Sequence, residues 1–359
     1  MSNQLESQIA GYQRWREDIR GGIEAYQQWL DQHGHVDIQR SLRIYDLLES
    51  LRNDRLVLAF LAEYSRGKTE LINAMFFADF KQRLLPSDVG RTTMCPTEIF
   101  YDAAEEPYVR LLPIETRKRE DSIASLKQHP VEWVKIKLNL QSQDDMAKAM
   151  ASLAETKTVK VDEASALGLL DQKDFITTTV VTKGSRVEIP AWRHAMINYP
   201  HPLLKSGLVI LDTPGLNAMG MEPELTVSTI PNAHAILFLL SIDTGVTKSD
   251  MEIWDRYVKT GLPSKVAVLN KIDLMQDKLK TPEEIQKAVD RMIQTTGQHL
   301  HLPRERIFPV SAQKALVGRI KGDKAMVEKS GIIGLQIHGG SKAKVYYKNI
   351  TIEELPAKK

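Results

Sequence analysis

Residues 62–69 read AEYSRGKT, one residue short of the phosphate-binding pattern G-x-x-x-x-G-K-[ST]. The departure is at the first position, where Ala62 replaces glycine. Before it runs RLVLAFLA (55–62), an unbroken apolar stretch, and after it KTELINAMFF, a helical pattern. Strand, tight loop and helix start together aim several backbone N–H groups at one point, where an anion is favoured. Gly67 lets a phosphate approach closely, Lys68 can reach the β- and γ-phosphates, and the Thr69 hydroxyl can ligate Mg²⁺. With Ala62 in place, the same letters also suit a helix N-cap carrying an incidental Lys-Thr. The rest of the chain has to supply partners.

Further apolar runs without polar alternation occur at GLVILD (207–212), AHAILFLLS (233–241) and KVAVLN (265–270), with a shorter one at RIFPV (306–310). Helical patterns separate them at 222–231, 247–259 and 281–299. Such strands interleaved with helices predict an α/β domain, a mostly parallel central sheet with helices on both faces. Residues 98–200 read as a large insertion in that domain, containing a strand at YVRLLPIE and a helix around DDMAKAMASLAE.

Three of these runs, GLVILD, KVAVLN and RIFPV, end in a residue set that complements the first. Asp212-Thr213-Pro214-Gly215 follows GLVILD: the aspartate stands where a phosphate-bound Mg²⁺ needs a carboxylate, and the glycine N–H can meet a γ-phosphate. Asn270-Lys271-Ile272-Asp273 follows KVAVLN. A carboxylate there can accept the N1–H and 2-amino group of guanine, and leaving it unpaired with adenine can give roughly 10⁴-fold discrimination or more. Lys271 would lie along the base. Ser311-Ala312-Gln313 follows RIFPV, where the Ala312 N–H can meet guanine O6. Between the first and second sets lies RTTMCPTE (91–98), whose Thr93 is expected to close over the γ-phosphate and ligate Mg²⁺. Open parallel sheets bind ligands at the C-terminal edge of their strands, and the first set and the three that begin at Asp212, Asn270 and Ser311 all fall there. Guanine nucleotide, GTP or GDP with Mg²⁺, is the expected ligand.

Composition narrows the classes. The chain has 359 residues, 42% hydrophobic and 26% charged, the profile of a globular protein. A net charge of +2 argues against a nucleic-acid partner. The single cysteine, Cys95, allows no internal disulfide and fits a reducing, cytoplasmic compartment. MSNQLESQIAGYQ lacks the pattern of a secretory leader. Residues 1–53 carry two helical stripes, Ile9, Tyr12, Ile19, Ile23, Tyr26, Leu30 and then Ile38, Leu42, Tyr45, Leu48, separated at His33-Gly34-His35. They predict a helical hairpin or neck.

With AEYSRGKTELINA, LLPSDVGRTTMCPTEI, ILDTPGLN, LNKID and VSAQKA in view, residues 1–320 resemble the GTPase domain of the dynamin superfamily, specifically bacterial dynamin-like proteins. The resemblance implies a nucleotide site made of Ala62, Glu63, Tyr64, Ser65, Arg66, Gly67, Lys68, Thr69 and Glu70, Thr93, Asp212 to Gly215, Asn270, Lys271 and Asp273, and Ser311 to Gln313. It implies metal ligation by Thr69, Thr93 and Asp212. It also implies hydrolysis resting on Lys68, Ser65 (which matches a serine that helps place a monovalent cation, K⁺ or Na⁺), Thr93, and Arg66 or Arg91. Two glutamines that orient water in related enzymes are replaced here by Tyr64 and Leu216. The resemblance further implies G-domain homodimers and, in full-length relatives, a peripheral role at the inner membrane in membrane remodelling.

The expected domain map is a neck-like segment 1–53, the GTPase domain 54–320 and a tail 321–359 made of a short helix and a β-hairpin. About sixteen helix-like residues (KALVGRIKGDKAMVEK) stand where dynamins continue into a stalk. The end, GIIGLQIHGGSKAKVYYKNITIEELPAKK, resembles the last hairpin of a 3-keto-disaccharide hydrolase-type jelly roll and suggests a fusion. Membrane contact is therefore expected to be indirect or lost. Two other readings stand beside the GTPase: a nucleotide-gated binding module with negligible hydrolysis, and an unrelated ATPase, which NKID disfavours.

Overall fold

Why four apolar runs become neighbours is answered by the central sheet. The computed structural model describes residues 2–33, 44, 48, 55–88, 91, 92, 95–119, 121–169, 186–214, 230, 233–259, 264–275 and 281–332. Its strands are β1 (Leu56–Ala62), β2 (Ser87–Asp88), β3 (Arg91–Thr92), β4 (Thr97–Phe100), β5 (Tyr108–Pro113), β6 (Val134–Lys137), β7 (Thr156–Lys160), β8 (Arg186–Pro190), β9 (Trp192–Asn198), β10 (Leu208–Asp212), β11 (Ala235–Ser241), β12 (Ser264–Asn270) and β13 (Ile307–Pro309). Its α-helices are α1 (Ser2–Gln32), α2 (Lys68–Ile72), α3 (Ile123–Lys127), α4 (Gln143–Ala151), α5 (Val161–Ala166), α6 (Pro202–Lys205), α7 (Lys248–Ile253), α8 (Pro282–Leu300), α9 (Ala312–Lys321) and α10 (Lys324–Lys329).

Nine strands form one sheet in the order β13-β12-β11-β1-β10-β4-β9-β5-β6. The half from β13 to β10 is wholly parallel. Its strands are buried on both faces, so neither face offers polar positions. Along β1, Phe60 and Ala62 enter a core with α2 and α9, while Ala59 and Leu61 enter a second core with α7 and α8. α8 starts at a capping box between Thr281 and Glu284, with Pro282 at its first turn.

The stretch expected as an insertion does not stand apart from this sheet. β4, β9, β5 and β6 extend it beyond β10, with antiparallel pairing at β10–β4, β9–β5 and β5–β6. Among the described residues of this stretch, β7, β8 and α5 form a satellite, around Ile114, Ala164, Leu167, Val187 and Ile189. α2 passes directly into a turn of π-helix, Asn73–Phe77. There the fully buried Asn73 accepts from the Leu84 and Leu85 N–H groups and donates to the Leu85 carbonyl, pinning the start of the segment that leads to β4.

At the ends of the chain the expectations fare differently. α1 is one helix over the first stripe; of the second stripe only Leu48 is described, and it is helical, as is Ile44 one turn before it. The boundary expected at residue 320 falls inside a packed unit. The sixteen-residue helix breaks at Gly322, whose φ is 70°, and α10 then folds back under an Asp323 N-cap. Ser311 N–H donates to Ser330 O at 2.8 Å, and Ile332 is fully buried against the core that holds Val310 and Leu316. Residues 321–332 therefore belong to the sheet domain. The hairpin expected after them lies outside the described residues, as does the helix expected at 222–231 apart from Ile230, which is a buried turn residue.

A candidate guanine-nucleotide site

The departure at Ala62 has a backbone explanation. Ala62 is the last residue of β1, fully buried and in strand register with Leu239. The left-handed backbone that favours glycine falls at Ser65 (φ 65°) and Gly67 (φ 85°) instead. At Gly67 glycine is required twice over, because a Cβ would also sit 2.3 Å from Asn270 Nδ2. Ala62 costs the loop nothing of this kind.

α2 begins at Lys68 and Thr69, both nearly buried. Lys68 Nζ donates to Asp212 Oδ1 at 2.6 Å, and Asp212 is fully buried at the end of β10. The strand neighbours β1 and β10 thus bring together residues far apart in the chain. Next to Asp212, Thr213 donates to the Phe60 carbonyl at 3.0 Å, fixing the exit of β10 against β1.

The ends of β12 and β13 form the other half. Asn270 Nδ2 donates to the Arg66 carbonyl at 2.9 Å, and its Oδ1 accepts the Ala312 N–H at 3.0 Å. Asn270 so ties the phosphate loop to the start of α9. Ser311 Oγ donates to Asp273 Oδ1 at 2.5 Å and accepts from the Lys314 N–H as the N-cap of α9. This orients the Asp273 carboxylate and leaves its second oxygen to meet a ligand. Lys271 adopts φ 65° between these two anchors. The Ala312 N–H, expected at guanine O6, is given to Asn270 in this structure.

Arg66 corrects a second expectation. Its guanidinium is buried and engaged on every side: Nε and Nη2 reach the two oxygens of Asp250 at 3.3 and 2.9 Å, Nη1 reaches Thr244 Oγ1 at 2.8 Å, and Nη2 also reaches Glu63 Oε2 at 2.5 Å. Glu63 further accepts from Ser249 Oγ at 2.6 Å. In this structure the side chain is directed into the base of the loop. Glu70, expected in the nucleotide site, directs its carboxylate to Arg83 through two bonds of 2.8 and 2.6 Å. Tyr64 and Ser65 stand exposed at the loop's crest, and Gln313 is exposed on α9. Thr93, Gly215 and the Arg91 side chain lie outside the described residues.

Thr244, Thr247, Ser249 and Asp250 are the participants that sequence reasoning missed. The letters TKSD (247–250) carry a capping-box signal for α7, but nothing in them announces a partner 184 residues away at Arg66.

β4 carries a partly buried charge cluster. Glu98 Oε1 lies 2.5 Å from Lys127 Nζ and 3.2 Å from His194 Nε2. Burial alone would raise this carboxyl, but the His194 ring and the Lys127 ammonium bring it down to about 2. On the same segment, burial pushes the Cys95 thiol up to about 12, so it is an inert side chain at neutral pH.

Comparison with known proteins now bears on this geometry. The family model described as "Dynamin family" matches residues 58–272, more than half of the chain. The chain belongs to the dynamin family. This dynamin-family chain is 23% identical over 311 residues to the bacterial dynamin-like protein of Nostoc punctiforme, covering 83% of this chain and 38% of that protein. A shorter similarity, 31% over 122 residues, covers 34% of this chain and 13% of the probable chloroplastic FZO-like transmembrane GTPase of Arabidopsis thaliana. The transmembrane GTPase Marf of Drosophila melanogaster is 21% identical over 306 residues, covering 82% of this chain and 31% of Marf. Among solved structures, one of an oligomerised bacterial dynamin pair superposes with a TM-score of 0.52 at 15% identity, over 91% of this chain and 42% of that one. The dynamin-type G-domain fold is therefore shared, and the chain spans about two-fifths of the length of the Nostoc relative. Among the described residues no helix is long and apolar enough to cross a membrane.

Proposed function

We propose that this dynamin-family chain binds GTP and hydrolyses it to GDP and phosphate. The observation that carries the reading is the convergence of Lys68, Thr69 and Asp212 at one end of a single sheet edge with Asn270, Asp273 and Ser311 at the other. Lys68 and the loop N–H groups would hold the phosphates, with Lys68 exchanging Asp212 for phosphate oxygens. Asp273, held by Ser311, would accept from the guanine N1–H and 2-amino group. Ser65 at the exposed crest stands where the monovalent cation would be positioned.

The donor set fits Mg²⁺. The Thr69 hydroxyl and the buried Asp212 carboxylate are hard oxygen groups beside the phosphate loop, and Mg²⁺ takes one or two such protein groups together with substrate phosphates and water. Thr93 would be a further ligand. The ion would neutralise charge on the phosphates, while this chain's residues orient the nucleotide and exclude adenine. Calorimetric titration tests the base assignment: GTP should bind at least a hundredfold tighter than ATP, about 2.7 kcal/mol, and equal affinities would sink the reading.

The domain map that goes with this function is a neck-like segment 1–53, a G domain running from 54 through 332, and a tail beyond it. Membrane remodelling, location at the inner face of a membrane and homodimerisation through the G domain extend the relatives' properties to this chain and belong to the same proposal. A nucleotide-gated module is the second reading, favoured by the exposed Tyr64 at a loop position where a glutamine would orient water. Single-turnover phosphate release, with Lys68→Ala as the inactive control, separates the two. A burst absent in the unaltered chain would favour the module.

A further inference from the structure

We propose that Arg66 is a positioning and charge-compensating residue of the phosphate loop, anchored by Asp250 on α7. The proposal rests on reading residues 62–69 as a phosphate site. Two carboxylates lie at the base of that loop, Glu63 within it and Asp250 fully buried behind it. One guanidinium serves both, bridging Asp250 by two bonds and Glu63 by a third.

The surrounding hydroxyls complete the brace. Thr247 Oγ1 donates to Asp250 Oδ2 at 2.7 Å, Ser249 Oγ donates to Glu63 Oε1 at 2.6 Å, and Thr244 Oγ1 accepts from Arg66 Nη1. Asp250 is also the third residue of the α7 capping box, accepting the Thr247 N–H at 3.0 Å. Its position is thus fixed by the helix before Arg66 arrives. The backbone of Arg66 is held too, through its carbonyl and Asn270. Between these anchors the chain has little freedom, and it passes through left-handed φ at Ser65 and Gly67.

The cluster carries one positive and two negative charges beside a site for a polyanion. Without the guanidinium, an incoming polyphosphate would meet two uncompensated carboxylates, and removing one member of a buried ion pair leaves the other exposed to its full desolvation cost. The penalty must then grow with the charge of the ligand. Lysine cannot replace the fork, since a single ammonium cannot hold Asp250 through two bonds and also reach Glu63 and Thr244, but it does keep the charge.

The test measures binding of GMP, GDP and a non-hydrolysable GTP analogue to the full chain and to three variants, with the ligand-free thermal midpoint recorded as a check on folding. In Arg66→Ala the GTP analogue should weaken by about tenfold or more, GDP by less, and GMP least. Adding Asp250→Asn to that variant should restore part of the GTP-analogue affinity, at least about threefold, because Glu63 alone then stays uncompensated. Arg66→Lys should show a small loss that is similar for all three ligands. If Arg66→Ala does not fold, the double variant decides: a loss larger for the GTP analogue than for GMP supports the proposal, and equal losses overturn it. Equal losses for the three nucleotides in Arg66→Ala, or no recovery in the double variant, overturn it while leaving the GTP-site reading intact. An unaltered chain that binds no guanine nucleotide overturns both.

Discussion

Gly67 shows how sharply one position can be constrained. Its φ of 85° and the 2.3 Å approach of Asn270 Nδ2 to any added Cβ leave no room for a side chain. Gly67→Ala should therefore destabilise the fold by about 2 kcal/mol or more, read as a lowered urea midpoint, and should abolish guanine-nucleotide binding. Glu98 makes a different prediction, in pH. Its folded pKa of about 2 lies below its ordinary 4.5, so its stabilising contribution is complete above that ordinary value and is lost as pH falls through about 2. Acid titration of the circular-dichroism signal should show Glu98→Gln less stable than the unaltered chain at neutral pH, with the difference vanishing toward pH 2. A difference that persisted there would remove the ion cluster from the explanation. At this scale the residues proposed to hold phosphate and base were legible as motifs, because a left-handed turn such as that at Gly67 and the strand ends beside it restrict which residues can stand there. The partners of Arg66 and Glu63 were not, since any surface helix start can carry Thr-x-x-Asp.

Secondary elements divide along the sheet. β1, β10, β11 and β12 were readable as apolar runs because helices cover both of their faces. β9 was hidden, since its buried residues include Arg193 and His194, polar groups placed by tertiary partners rather than by pattern. β6, with the sequence VKIK, looks like an exposed polar stretch because it forms the sheet's far edge. The π-helical turns at Asn73–Phe77 and Trp254–Val258 left no periodic signature of their own. α10 was misassigned to the tail because the chain reverses at Gly322 within what reads as one helix. Its place in the domain is testable at Ile332, which is fully buried: Ile332→Ala should cost about 2–5 kcal/mol in chemical unfolding. A cost below about 0.5 kcal/mol, the range of surface substitutions, would detach the segment from the core.

For the molecule as a whole, catalysis and association are expected to be linked. GTP turnover per chain should rise with protein concentration if two G domains meet during hydrolysis. A flat specific activity would mean that the isolated domain does all it can alone. Asn270 adds a consequence of another kind. Its amide grips the phosphate loop with one end and the α9 start with the other, so the two halves of the ligand site share a single joint. If the site holds a guanine nucleotide as proposed, recognition of the base and grip on the phosphates would be coupled through this residue. Inorganic triphosphate, which has no base to touch residue 270, should still bind less tightly to Asn270→Ala, by about fivefold or more if the coupling reaches the usual 1 kcal/mol. Selectivity for guanine would in that case be an act of the whole site, with each end vouching for the other.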